Sequence, residues 1–362
     1  MKITADKQQL VDVIGKAARA AGGPSSLPAL SGALLTARDG KLEVVASNLE
    51  VTVWLRIDVQ VAEEGRALVP ASALDSYLRK LPAGNITLDA TGSEFRVSGG
   101  GASLALHPLN QADYPVITPV NPEETVPVDE GFIDAVGAVA VAVSTDTTRP
   151  VFTAIKIESA DSGSRLVATD SYRLAVKNVA DVPVGEALVP GARLQTIFRA
   201  IGTSNVRLGV RDKELMVVTD SGEATMRLVE DKFPNWEPIV KIDGKVTATV
   251  DVCTLRGALD RASVVATEGI PVKIEFSADG LKLSYSRESF GHGAEQIAAQ
   301  VTGDGNLPMT VAFNAKYLND GLATIATERA RIIVASPTQA VLVQPEGDDG
   351  HIYVVMPVRT TS

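Results

Sequence analysis

The chain has 362 residues, of which 45% are apolar and only 4% aromatic, and a net charge of −10. That length admits two or three domains with real cores, packed mainly by Val, Ala and Leu. The negative charge argues against a tight, sequence-independent grip on nucleic acid through many phosphate contacts. The single cysteine, Cys253, excludes an intrachain disulfide framework and fits a reducing cytoplasm; it reads as a small buried apolar residue of a helix. Met1-Lys2-Ile3-Thr4-Ala5-Asp6 lacks the apolar stretch of a signal peptide. No apolar run approaches the roughly 18 residues of a membrane span. A soluble cytoplasmic protein with no membrane partner is predicted.

The first predicted helix carries Leu10, Val13, Ile14 and Ala17 at the i, i+3, i+4, i+7 spacing, with Thr4 or Asp6 as its cap. Pro28 opens a strand-like run that turns at Asp39-Gly40 into a second strand. Val51, Val53, Leu55, Ile57, Val59 and Val61 alternate with mostly polar residues over eleven positions, the pattern of one half-buried strand. Leu68-Val69-Pro70 leads into a helix on Leu74, Tyr77, Leu78 and Leu81; Gly99-Gly100-Gly101 marks a later turn, and Tyr114-Pro115 closes the unit.

The scheme recurs twice. Phe132, Val136, Val139, Ala140 and Val143 form the next helical stripe, in a predicted helix over 130–144. Pro150, Ser162-Gly163, Leu188-Val189-Pro190, the stripe Leu194, Ile197, Phe198 and Ile201, the turn Asp220-Ser221-Gly222 and Phe233-Pro234 follow in the same order. The last third repeats it with Leu255, Ala258, Leu259 and Ala262, then Pro271, Asp279-Gly280, Val311-Ala312-Phe313, Leu318, Leu322 and Ile325, and Met356-Pro357. Corresponding prolines lie 119 to 123 positions apart, one third of the chain. Solenoid units run about 20–50 residues, so this period is that of a whole small domain. The predicted fold is α+β: three tandem domains, 1–122, 123–245 and 246–362, each with two helices packed on antiparallel sheets. The links Pro119–Glu124 and Lys241–Lys245 are short, which predicts a fixed arrangement of the three.

Catalytic patterns are scarce. His107, His292 and His351 lie far apart, and no His-x-x-x-His, Cys-x-x-Cys, phosphate-binding loop or nucleophile elbow occurs, so neither a metal nor a cofactor is predicted. Asp170-Ser171 beside a histidine is a triad only by chance composition. A triplicated domain without a catalytic constellation points to a scaffold or ring, not to an enzyme.

Two motifs stand out: Ala168-Thr169-Asp170-Ser171-Tyr172-Arg173-Leu174-Ala175 and Tyr353-Val354-Val355-Met356-Pro357-Val358-Arg359. With the triplication, the opening Met1-Lys2-Ile3, Gly22-Gly23 before Leu27-Pro28, Ala112-Asp113-Tyr114-Pro115, Lys232-Phe233-Pro234 and Phe313-Asn314-Ala315-Lys316-Tyr317-Leu318, the whole chain resembles the bacterial DNA sliding clamp, the beta subunit of DNA polymerase III. The resemblance implies a head-to-tail homodimer whose six domains form a ring around double-stranded DNA, with helices lining the hole and sheets outside. It implies a processivity factor that tethers the replicative polymerase alpha subunit, is opened and closed by a clamp loader, and serves other proteins carrying a clamp-binding motif. Topological enclosure would also reconcile a DNA role with the charge of −10.

By the same resemblance, a hydrophobic groove for peptide tails has Phe152, Thr169, Ser171, Tyr172, Arg173 and Leu174 as one wall. Pro234 and Ile239 add the segment between the second and third domains; Met356, Pro357, Val358 and Arg359 add the C-terminal strand; Asn314 and Tyr317 approach from the third domain. An apolar trough with a few polar atoms suits an extended peptide with a hydrophobic anchor. The helix cations facing DNA would be Lys16, Arg19, Arg79, Lys80, Arg193, Arg199, Arg256, Arg261 and Lys316, with Lys7 beside them, interleaved with Asp12, Asp75, Asp134 and Asp260. The dimer contact would set Leu104 and Leu106 of one chain against Val264 and Val265 of the other. Three departures are visible: Pro238 and Pro24 stand where the family often has a basic residue, and Thr360-Thr361-Ser362 extends past Arg359 at the groove mouth. Two other readings follow: a divergent or phage-borne paralogue serving other partners, and an enzyme using a pocket near Asp170-Ser171-Tyr172.

Overall fold

The computed structural model describes residues 1–23, 27–267, 269–303 and 307–359; the departures at Pro24 and at Thr360-Thr361-Ser362 lie outside the described residues. The chain divides into two compact units, Met1–Glu130 with Ala192–Leu228, and Gly131–Gly191 with Val229–Ser362, so the middle third contributes to both.

In the first unit, helix α1 (Lys7–Ala20) starts where Asp6 accepts hydrogen bonds from the amides of Gln8 (2.7 Å) and Gln9 (3.4 Å). Asp6, not Thr4, is therefore the cap, leaving fewer orphan donors in the first turn. The predicted stripe Leu10, Val13, Ile14 and Ala17 is buried, against α2 (Ala71–Lys80) and against strands Lys41–Ser47 and Val51–Asp58. Residues 51–61 depart from the expected single strand. Val51–Asp58 and Gln60–Glu63 belong to different sheets, and Val51 through Leu55 are buried without alternation. Both faces of that stretch are covered. Helix α1 lies over it, while Trp54 packs into a cluster with Val45, Leu68, Tyr114, Val120 and Met216. Burial also pushes the Tyr114 hydroxyl pKa well above its ordinary value.

This unit holds a five-stranded sheet ordered Gln60–Glu63, Lys2–Asp6, Asn85–Asp89, Phe95–Gly99, Ala102–Leu106. Its eight-stranded antiparallel sheet joins strands of the first third to strands of the middle third. The junction is Val51–Asp58 against Gly222–Arg227, in register Val53 to Ala224 and Trp54 to Glu223. Gly222 is required there: a Cβ would lie 2.7 Å from the Trp54 carbonyl oxygen. At the Asp39-Gly40 hairpin both residues have positive φ (51° and 73°), as the expected two-residue turn demands.

In the second unit, α3 (Gly131–Ala140) is shorter than the predicted 130–144; its stripe Phe132, Val136 and Val139 is buried. Helix α4 (Gly191–Ile201) begins at the boundary, and from Ala192 onward belongs to the first unit. Its buried residues are Leu194, Ile197, Ala200 and Ile201. A single-turn helix, α5 (Glu237–Val240), carries Pro238 in its first turn, where a missing N–H costs nothing. Helices α6 (Val252–Ala262) and α7 (Ala315–Leu322) are capped by Asp251 and Asn314 and pack on each other. Cys253 is exposed, contrary to its predicted burial. It follows Val252 by about 100° around α6 and so points away from the face that buries Val252, Leu255 and Leu259.

The nine-stranded antiparallel sheet of this unit runs Ala187–Pro190, Ala154–Ala160, Gly163–Thr169, Arg173–Val179, His351–Val355, Val341–Pro345, Arg329–Val334, Val246–Asp251, Ala299–Gly303. A four-stranded sheet, Gly291–Ile297, Gly280–Arg287, Val272–Ser277 and Met309–Phe313, completes it. The middle and last thirds meet where Arg173–Val179 pairs with His351–Val355.

Candidate peptide groove and helix cations

That strand pair brings the two distinctive motifs together. Arg173 lies opposite Val355 and Leu174 opposite Val354, and the Met356 amide donates to the Tyr172 carbonyl at 2.8 Å. The residues Thr169 to Arg173 encode a tight turn. The Thr169 hydroxyl donates to the Arg173 carbonyl (2.7 Å), and Asp170 Oδ1 accepts from the amides of Tyr172 (2.9 Å) and Arg173 (3.0 Å). Ser171 takes φ of 81°, a left-handed conformation that these side-chain bonds support. The turn presents Tyr172, 60% exposed, to solvent. Asp170 thus serves the turn and Arg173, and His351 hydrogen-bonds Thr324, so among the described residues no histidine is hydrogen-bonded to Asp170 or Ser171.

Leu174 is a correction to the expected wall. It is 2% exposed and sits inside a cluster with Val176, Phe233, Trp236, Leu342 and Val354. Alternation along the strand turns Leu174 into this cluster and Arg173 to the opposite face. Phe152 does not join that cluster; its neighbour Val151 does, and Phe152 lies 4.7 Å beneath the Arg149 guanidinium. Pro234, half-buried, flanks Phe233. Ile239 (41% exposed) lies on α5, and Met356 (40% exposed) directly follows the strand His351–Val355 against which α5 packs; both are apolar side chains left in solvent. Trp236, Val240, Ile242, Ala340 and Leu342 also belong to this apolar surround. The sequence reading missed them; a tryptophan in a chain so poor in aromatics was the available signal.

An open depression of about 820 Å³ is lined by residues that include Arg149, Asp170, Tyr172, Arg173, Asn314, Lys316 and Tyr317. Arg173 binds Asp170 (2.8 Å) and Asp320 (2.6 Å) and lies 4.4 Å over the Tyr317 ring, which stacks on Tyr172 at 6.3 Å. Burial opposes the Arg173 charge, but Tyr353 and the carboxylates of Asp320 and Asp170 together more than compensate and hold its pKa above the ordinary arginine value. The Tyr353 hydroxyl, its pKa pushed up by burial, donates to the Tyr317 carbonyl at 2.7 Å and ties α7 to the strand below. The Val358 amide donates to the Ala312 carbonyl (2.8 Å), and Val358 and Arg359 line a second depression, of about 1010 Å³, on the four-stranded sheet, with Lys273, Lys282, Tyr285 and His292.

The nine helix cations divide by their partners. Lys16 pairs with Asp12 (2.7 Å), Arg79 with Asp75 (2.9 Å), Arg193 with Glu50 (2.6 Å), Arg261 with Glu295 (2.6 Å) and Lys316 with Asp320 (2.5 Å). Arg256 donates to the Asn319 amide oxygen (3.2 Å), and Arg19, Lys80 and Arg199 make no ion pair among the described residues. Five of the nine are thus locally neutralised, and any phosphate attraction is mild. Leu104 and Leu106 are half-buried on Ala102–Leu106, the edge strand of the five-stranded sheet. Val264 is 66% exposed and Val265 half-buried just after α6.

Antiparallel sheets with helices packed on them, recurring in each third, and the pairing of Arg173–Val179 with His351–Val355 define a triplicated clamp-type architecture. Three models of one family match in succession: the N-terminal domain of the DNA polymerase III beta subunit over residues 1–118, the central domain over 126–235, and the C-terminal domain over 242–359. A beta sliding clamp of Streptomyces coelicolor is 29% identical over 384 residues, covering 99% of each chain. The crystal structure of the Thermotoga maritima DNA polymerase III beta subunit superimposes with a TM-score of 0.88 at 25% identity, covering 99% of this chain and 100% of that one. The Bacillus subtilis DNA polymerase sliding clamp shares the fold, with a TM-score of 0.91 at 22% identity over the full length of both. The chain belongs to the DNA polymerase III beta subunit family. It is a DNA sliding clamp, a processivity factor and not a catalytic subunit.

Proposed function

We propose that this clamp acts in the cytoplasm as a head-to-tail homodimer, the first domain of one chain against the third domain of its partner, closed around double-stranded DNA. The domains are 1–122, 123–245 and 246–362. The trough flanked by Ile239 and Met356, with the Arg173–Tyr317 depression beside it, receives the peptide tails of the replicative polymerase alpha subunit, the clamp loader and other clamp-binding proteins. One observation carries the reading: two motifs about 180 positions apart are adjacent strands, and exposed apolar side chains stand where they meet. A shared peptide site accounts for both motifs at once.

A net charge of −10 and helix cations mostly in ion pairs support retention by enclosure. The protein is loaded by its loader onto nicked circular DNA and the circle is then cut. Loaded protein is expected to survive salt on the circle and to slip off the linear product. Equal retention on circular and linear DNA would refute the sliding-ring reading. Pro238, in the first turn of α5, stiffens the segment that presents Ile239, so the groove favours a narrower set of peptides than a flexible basic segment would.

A further inference from the structure

Asp320, in the last turn of α7, belongs to neither distinctive motif. Its Oδ2 accepts from two cations at once, Arg173 Nη1 at 2.6 Å and Lys316 Nζ at 2.5 Å. The two are unlike. The Arg173 side chain is 10% exposed, held also by Asp170 at 2.8 Å, and rests on the Tyr317 ring. The Lys316 side chain is 72% exposed and sits in the first turn of the helix. A lysine in the first turn followed four residues later by an aspartate is the order that the helix dipole disfavours. An exposed pair of this kind contributes little. The Lys316 contact is therefore the exchangeable one, and the Arg173 contact the fixed one.

We propose that Asp320 is a positioning residue of the peptide groove, and that sharing it with Lys316 couples the groove to anions at the helix face. The inference rests on reading Arg173 as a groove residue and Lys316 as DNA-facing. A backbone phosphate that draws Lys316 away removes the competing cation, and the carboxylate then serves Arg173 alone. Arg173 in turn holds its place over Tyr317, whose ring stacks on the exposed Tyr172. The coupling runs through one carboxylate and one helical turn, so it needs no long pathway through the fold.

The test is calorimetric titration of the full chain with a synthetic peptide bearing a glutamine and a terminal hydrophobic pair, with and without a short DNA duplex. Asp320→Asn keeps the side chain's size and removes its charge; it is expected to weaken the peptide about fivefold, with Asp320→Glu restoring part of the loss. The duplex is expected to tighten the peptide on the unmodified protein. Lys316→Ala should bind the peptide at least as well and lose the duplex response, and should add nothing in the Asp320→Asn background. Unchanged peptide affinity in folded Asp320→Asn, or a duplex response that persists in Lys316→Ala, overturns the proposal. Failure of the unmodified protein to bind the peptide would instead overturn the groove reading on which it rests.

Discussion

The groove is best tested at Ile239 and Met356, and the structure sets both the choice and the size of the effect. Leu174→Asp would bury an unpaired charge in a closed cluster, so it is expected to cost folding before it reports on binding. Ile239 and Met356 are 41% and 40% exposed, so truncation leaves the core intact. Fully burying such a side chain gives about 1.5–3 kcal/mol, and a peptide can cover only the exposed two-fifths. Each alanine substitution should therefore cost about 0.6–1.2 kcal/mol of peptide affinity, or roughly threefold to eightfold. The double variant, if the sites act independently, should lose roughly eightfold to sixtyfold. Calorimetry with the glutamine and terminal-hydrophobic peptide measures this, with thermal unfolding and sedimentation velocity as folding and assembly controls. A folded double variant with unchanged affinity would mean that the trough is not the partner surface, whatever its apolar character.

Two further outcomes follow from other parts of the molecule. Leu106→Asp, on the exposed edge of the five-stranded sheet, should convert dimers to monomers in sedimentation velocity at low micromolar concentration; a persistent dimer would place the contact elsewhere. His351 is held neutral by burial, reinforced by Lys177, with its pKa lowered to about 4. The unfolded chain, with an ordinary histidine pKa of about 6.5, binds this proton more readily, so stability rises with pH across that interval. The contribution is complete above about pH 6.5 and is lost as pH falls toward 4, by up to about 3 kcal/mol. His351→Gln should flatten the 4–6.5 limb of a denaturation-midpoint profile; an unaltered limb would show that other groups control it.

Local chemistry is what the sequence carried unaided. The buried stripes of α1, α3 and α6, the Asp6 cap and the Asp39-Gly40 turn all depend on residues within a few positions of one another, where helix and turn geometry leave few alternatives, and the threefold period shows because these local patterns recur in the same order. The Thr169–Arg173 turn is of the same kind, since its hydrogen bonds close within four residues. What the sequence left undecided depended on neighbours distant along the chain. Val51–Leu55 is buried on both faces because the 109–120 segment returns over it. Leu174 is buried because Phe233, Trp236 and Leu342 converge on it. Cys253 is exposed because burial is decided by which face of α6 meets the sheet. The pairing of Arg173–Val179 with His351–Val355 was decided only in three dimensions, because strand partners are chosen by complementary buried faces and not by proximity in sequence. Arg173 between two carboxylates has the same origin: a motif can name the arginine, but only the packing of α7 beside the strand supplies Asp320.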